Sequence, residues 1–202
     1  MSSPEEIAAF IKSLDMQGHI ALSKTLNAFA VKVKQEAIDA IHGRYNLEKS
    51  YISQRMEIRT RANPKKLEAT ISARVRATQL IRFGAKQETR AGIKVAQRSG
   101  GISVQVLREN PRKNITYAFA MKLKRGSFTS GNFGMVARTG EIRKPVQRYR
   151  IRNGKKVKNG QEYHEFKTLY GPSVHGAFAW FREELEPSHE EIFDDFISRL
   201  NL

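Results

Sequence analysis

The segment FKTLYGPSVHGAF, residues 166–178, places a hydroxyl at Ser173 two positions before an imidazole at His175. A serine near a histidine is the raw material of acyl transfer, the imidazole taking the hydroxyl proton as the oxygen attacks. Such chemistry also needs a third group to orient the base and N–H donors for the oxyanion, all converging in space. Adjacency in the chain supplies neither, and no Gly-x-Ser-x-Gly elbow surrounds Ser173. The expectation is a structural corner, with Pro172 in a first helical turn and Ser173 making local hydrogen bonds.

The other reactive side chains point the same way. His19, His42, His164, His175 and His189 include no pair at the i, i+4 spacing that would put two ligands on one helical face. Cysteine is absent, which removes disulfides, thiolate zinc sites and thiol nucleophiles. RSGGIS and GSFTSGNFG are glycine-rich, but neither continues into Gly-Lys-Ser/Thr, so a phosphate cradle is weakly supported. Carboxylates crowd the C-terminal helices as a solvated face, with nothing to mark a glycosidase pair. No catalytic residue, metal site or cofactor is expected, and the chain reads as a non-enzyme.

Charge is the strongest signal. The 202 residues hold 36 Lys and Arg against 20 Asp and Glu, a net charge of +16. Residues 1–54 balance at 6 against 6, residues 55–168 carry 28 against 7, and residues 182–202 carry 2 against 7. A basic middle with an acidic end favours an anionic partner, or copies of the chain joined middle to terminus. Apolar residues make up 40%, enough for a real core. No apolar run reaches the roughly 18 residues of a membrane span, and MSSPEEIAAF is acidic where a signal peptide is basic. No membrane partner is expected, and assembly is expected in the cytoplasm.

The elements that would position these residues follow from periodicity. Ser3, Pro4 and Glu6 form a capping box that starts a helix running to about Ser13. Gly18 opens a long amphipathic helix in which Leu22, Leu26, Phe29, Val33, Ala37 and Ile41 recur at steps of three and four, closing near Gly43. Asn46 caps a third helix within LEKSYISQRM. The period then becomes two. Leu67, Ala69, Ile71, Ala73, Val75 and Ala77 alternate with polar groups, ISVQVL continues the style, and Ile115, Tyr117, Phe119, Met121 and Leu123 line one strand face. Gly84, Gly92, the Gly100–Gly101 pair and GSFTSGNFG mark turns. After Pro172 the chain is helical again, with Val174, Phe178 and Phe181 on one stripe. A second capping box, Ser188 and Glu191, precedes the stripe Phe193, Phe196, Ile197 and Leu200, expected to be buried. Helices, then strands, then helices predict an α+β protein: N-terminal helices, a central antiparallel sheet and C-terminal helices. One domain, residues 1–202, is the simplest organisation.

Residues 141–168 form an inserted basic hairpin arm, with Asn-Gly at 153–154 and 159–160 as turn signals. A three-residue loop sets Ile151 opposite Val157 and Arg150 opposite Lys158, an unfavourable like-charged pair. Arg143, Lys144, Arg148, Arg150, Arg152, Lys155, Lys156 and Lys158 are the candidate partner-binding residues, for an acidic protein or DNA. A protein is favoured because phosphate contact alone needs no hairpin.

Three segments resemble the lambda-type minor tail protein Z family, the tail completion proteins of long-tailed phages. They are LSKTLNAFAVKVKQEAIDAIHGRYNLEKSYISQRM, YAFAMKLKRGSFTSGNFGMVARTG and LYGPSV, in family order and spread over most of the chain. On the resemblance, Phe119, Arg138, Gly140, Leu169, Tyr170, Gly171 and Pro172 are structural motif positions. The basic arm departs from the family pattern, so no role transfers to it. The resemblance implies a structural virion protein at the head-proximal end of the tail, completing it for head–tail joining. Its partners would be copies of itself in a ring, a tail terminator, a head–tail connector and the DNA in the lumen. The rival reading is a sequence-independent nucleic-acid-binding protein acting free in the cell through its basic middle.

Overall fold

The computed structural model describes residues 4–89, 99–122, 133–143, 148–152, 155–159 and 163–200. The chain divides into two compact units, residues 1–77 with 172–202 and residues 78–171. The first contains α1 (Pro4–Ser13), α2 (Met16–Arg44), α3 (Lys49–Ser53), β1 (Met56–Thr60), β2 (Thr70–Ala73), α4 (Val174–Phe181) and α5 (His189–Leu200). The second contains a short 3-10 helix (Leu80–Phe83), β4 (Lys86–Thr89), β5 (Ser99–Val104), β6 (Lys113–Ile115), β7 (Ala118–Lys122), β8 (Phe133–Arg143), β9 (Arg148–Arg152), β10 (Lys155–Asn159) and β11 (Tyr163–Thr168). The chain passes between the units along β3 (Ala77–Gln79) and β12 (Tyr170–Ser173). The protein is α+β, with helices at both ends of the chain and antiparallel strands between them. The strands are shared among small sheets.

In the first unit α2 is the spine. Asp15, not Gly18, opens it: the Asp15 carboxylate accepts from the Gly18 N–H at 2.7 Å, satisfying an orphan donor of the first turn. Gly43 stays inside the last turn, and the helix ends where Tyr45 turns extended while its N–H still reaches the Ile41 carbonyl at 2.8 Å. Asn46 lies outside α3, whose N-cap is Glu48 without a side-chain cap bond. The expected inner face holds: Leu22, Ala37 and Ile41 are buried, with Leu26, Phe29 and Val33 half-buried.

α5 starts as its capping serine requires, the Glu191 N–H donating to Ser188 Oγ at 3.1 Å. Its stripe is buried at one position only. Phe196 is 1% exposed, against 48% for Phe193, 37% for Ile197 and 40% for Leu200. Phe196 packs with Ala21 and Leu22, flanked by Ile11, Leu14, Leu26 and Leu67. The Phe10 ring stands edge-on to Phe196 at 6.1 Å. The helix thus meets its neighbours along a single line, too narrow to cover an i, i+3, i+4, i+7 stripe.

The strands are shorter than the alternation predicts. The run from Leu67 to Ala77 forms strand only at 70–73 and 77–79, and Val75 is 72% exposed. ITYAFAMKLK is divided by a turn at 116–117, which leaves Tyr117 68% exposed and shifts burial to Ala118. A two-residue interruption resets the pleat, so residues before and after it no longer share a face as one strand would require. Leu123, Gly92 and most of GSFTSGNFG lie outside the described residues. Gly84 does end an element, the 3-10 helix, in a left-handed conformation. Gly100 and Gly101 are not a turn but part of β5, where Gly101 has φ 98° beside a register shift against β4. A Cβ at Gly101 would lie 2.6 Å from the Ile115 carbonyl oxygen, so both backbone angle and space require glycine.

Candidate functional site

The corner at residues 169–176 is built from backbone hydrogen bonds. The Leu169 N–H donates to the Met135 carbonyl at 2.8 Å, and the Leu169 carbonyl accepts from the Leu80 N–H at 3.2 Å. At Gly171 a Cβ would come within 2.6 Å of the fully buried Phe83 ring. Leu-Tyr-Gly is therefore a tie followed by a close approach, with Tyr170 exposed between them. Pro172 lies in β12, not in the helical turn expected for it. Ser173 is the N-cap of α4, its Oγ accepting from the Gly176 N–H at 3.0 Å. His175 is exposed, and its backbone N–H donates to the Arg74 carbonyl at 3.3 Å. The hydroxyl oxygen serves the helix end, the local role expected of it.

Phe119 and Arg138 belong to the sheet β11–β8–β7. Phe166 is opposite Arg138 in the register. The Phe119 and Phe166 rings meet edge-to-face at 5.5 Å, and the Arg138 guanidinium lies 5.6 Å from the Phe119 ring. An aromatic pair with a cation over one face is a favourable arrangement on a half-exposed sheet. Gly140 lies in the irregular stretch of β8 between the pairings Ile142–His164 and Arg138–Phe166.

The arm is divided. Its ends belong to the three-stranded sheet, where Arg143 pairs with Tyr163. Arg148, Arg150, Arg152, Lys155, Lys156 and Lys158 lie on β9 and β10, which pair with each other and with no other strand among the described residues. Lys144 lies outside those residues. Only residues 153 and 154 separate β9 from β10, so the register is one step from the expected one. Arg150 faces Val157, Lys158 faces Tyr149, Lys156 faces Ile151, and the like-charged pair is Arg152 with Lys155. The second Asn-Gly does not join paired strands, because β11 pairs with β8 instead of β10.

A groove of about 300 Å³ in the first unit has no counterpart in the sequence reading. Phe29, Lys32, Val33 and Glu36 of α2 form one wall, and residues 184–188 with Glu191 form the other. Its lining is mostly polar: the carboxylates Glu36, Glu184, Glu186 and Glu191 stand among the apolar Phe29, Val33, Leu185 and Pro187. The stripe Phe29–Val33 reads as core, and the glutamates as a solvated face. The signal was their combination: an apolar stripe with a carboxylate at its end, facing an acidic segment broken by Pro187.

Two further ion pairs are local. Lys49 pairs with Asp39 at 2.6 Å, and Arg199 pairs with Asp195 at 2.6 Å one turn apart on α5. The hydrogen bond from Arg199 is the main cause that holds the Asp195 carboxyl below its ordinary pKa. Among the described residues no group of three His, Asp or Glu is arranged to hold a metal ion, and no helix is long and apolar enough to cross a membrane.

The two units differ completely in charge. Residues 78–171 hold 21 Lys and Arg against 5 Asp and Glu, which is the whole net charge of +16, while the other unit holds 15 of each. Comparison with family models, with curated proteins and with solved structures finds no match to this chain.

Proposed function

We propose that this chain is a structural virion protein of a long-tailed phage, a tail completion protein acting in a ring at the head-proximal end of the tail. The observation that carries the reading is the ordered resemblance of its three segments to the tail protein Z family, the LYGPSV string above all. The packing gives that string a physical reason, since Leu169 ties two segments and Gly171 leaves no room for a side chain. The charge division supports it further: a strongly basic unit and a neutral one with an acidic C-terminal end suit contacts between unlike surfaces in a neck, with a tail terminator, a head–tail connector and the DNA in the lumen as partners. No side chain is assigned a catalytic role. The chain would be assembled in the host cytoplasm and carried in the particle.

The test is genetic and visual. Removing the gene should yield separate heads and tails, and labelled protein should mark the head–tail junction by electron microscopy. Joined, infectious particles that lack the protein would overturn the reading. The charge of residues 78–171 favours a second reading, a free nucleic-acid binder. That protein would bind duplex DNA with a log–log salt slope of about −0.9 for each phosphate neutralised, and it would be absent from particles.

A further inference from the structure

We infer that the acidic groove beside α2 receives the β9–β10 hairpin of a second copy of this chain. The inference deepens the ring reading above and rests on it for where the assembly acts. The groove's lining is mostly polar and includes Glu36, Glu184, Glu186 and Glu191, and none of these four carboxylates makes an ion pair among the described residues. Such a site fits cationic side chains, a guanidinium head meeting the carboxylates and its aliphatic stem meeting the few apolar side chains among them. Its one cation, Lys32, lies 5.5 Å from the Phe29 ring within the same wall.

The chain itself supplies the complement. Positions 148, 150 and 152 of β9 are all arginine and, by strand alternation, share one face at intervals of about 7 Å. The register sets positions 157 and 155, valine and lysine, opposite 150 and 152 on that face. A two-stranded hairpin buries too little to be stable alone, and this one pairs with no further strand among the described residues. Cover from an acidic surface would relieve the repulsion among the hairpin's cations. Groove and hairpin are different surfaces, so the contact between copies is heterologous. Repeated by rotation, it closes a ring or continues as a filament.

The experiment measures self-association of the full-length protein by sedimentation velocity over a concentration series. Glu184→Lys with Glu191→Lys reverses the groove, and Arg150→Glu with Arg152→Glu reverses the hairpin. Each pair should weaken self-association by roughly 100-fold or more, since like charges brought together cost several kcal/mol. Mixing the two variants, or combining all four changes in one chain, should restore it. Circular dichroism checks that each variant is folded, and Glu184→Gln with Glu191→Gln gives a milder version should the reversed groove unfold. A chain that is monomeric throughout, or reversals that leave assembly unchanged or unrestored, would overturn the inference. So would hairpin reversal that lowers only DNA affinity, which would turn the hairpin toward nucleic acid. Loss and restoration as expected, in a protein absent from the head–tail junction, would sink the neck reading and leave the contact standing.

Discussion

The helical unit and the strand unit use the same 202 residues' worth of chemistry differently. In the helical unit opposite charges balance and one long helix gathers the core, with Ala37, Ile38 and Ile41 enclosed along it and Phe196 inserted near its start. The strand unit holds every excess cation of the chain, and its enclosed side chains among the described residues include Phe83, Ile102 and Val136. Excess like charge destabilises a compact state by self-repulsion. A unit that keeps +16 therefore folds against its own charge, and it contains tight backbone fits at Gly101 and Gly171. The helical unit can lose a surface charge with little effect but cannot lose its inserted ring.

The largest expected effect breaks the helical side of this contrast. Phe196→Ala empties an enclosed site and should cost about 3–5 kcal/mol, read as a lower melting temperature of the full chain. Hydrogen exchange sharpens the comparison: amides of α2 should lose protection, while those of β8 keep theirs unless the two units unfold together.

The reciprocal change is Gly171→Ala. Its methyl group would press on the Phe83 ring, and overpacking of this kind costs about 1–3 kcal/mol. Here the amides of β8 and of residue 169 should lose protection first. If α2 loses protection equally, the units do not differ in the way described.

Asn27 tests the polar side of the helical unit. Its side-chain amide donates to the Ala62 carbonyl at 2.8 Å and accepts from the Ala62 N–H at 2.9 Å, clamping the chain after β1 to the middle of α2. Asn27→Ala leaves two part-buried backbone groups unpaired and should cost about 1–3 kcal/mol. Faster exchange of the Ala62 amide, with α5 unaffected, is the expected reading.

The smallest effect is electrostatic. The Asp195 carboxyl is held below its ordinary pKa by Arg199, so the folded state favours its ionised form. That contribution is complete above the unfolded value of about 3.9 and disappears as pH falls through the lower folded value. For a largely solvated i, i+4 pair it amounts to about 0.3–0.5 kcal/mol. Arg199→Ala should remove it at neutral pH and flatten the acid side of the stability curve by that amount. A variant with an unchanged acid limb would show that the pair contributes nothing.

The α+β order, the inner face of α2 and the serine caps of α4 and α5 were legible in the sequence, because each is set by neighbours within a turn or two. The true ends of α2, the cap of α3 and the narrow burial of the α5 stripe were not. Ser188 caps α5, Ser173 satisfies the Gly176 N–H, and the α2 face follows from steps of three and four. The run of arm cations was equally plain, since charge needs no partner to be counted. Strand pairing was not legible. Side chains alternate with period two, so a loop one residue shorter than expected exchanged the partners of Arg150 and Lys158, and a turn at 116–117 moved burial from Tyr117 to Ala118. The close approach at Gly171, the Asn27 clamp and the groove joining Phe29 to Glu191 each depend on residues far apart in the chain. Only the tertiary structure could decide them, because they exist only once the backbone has already brought those residues together.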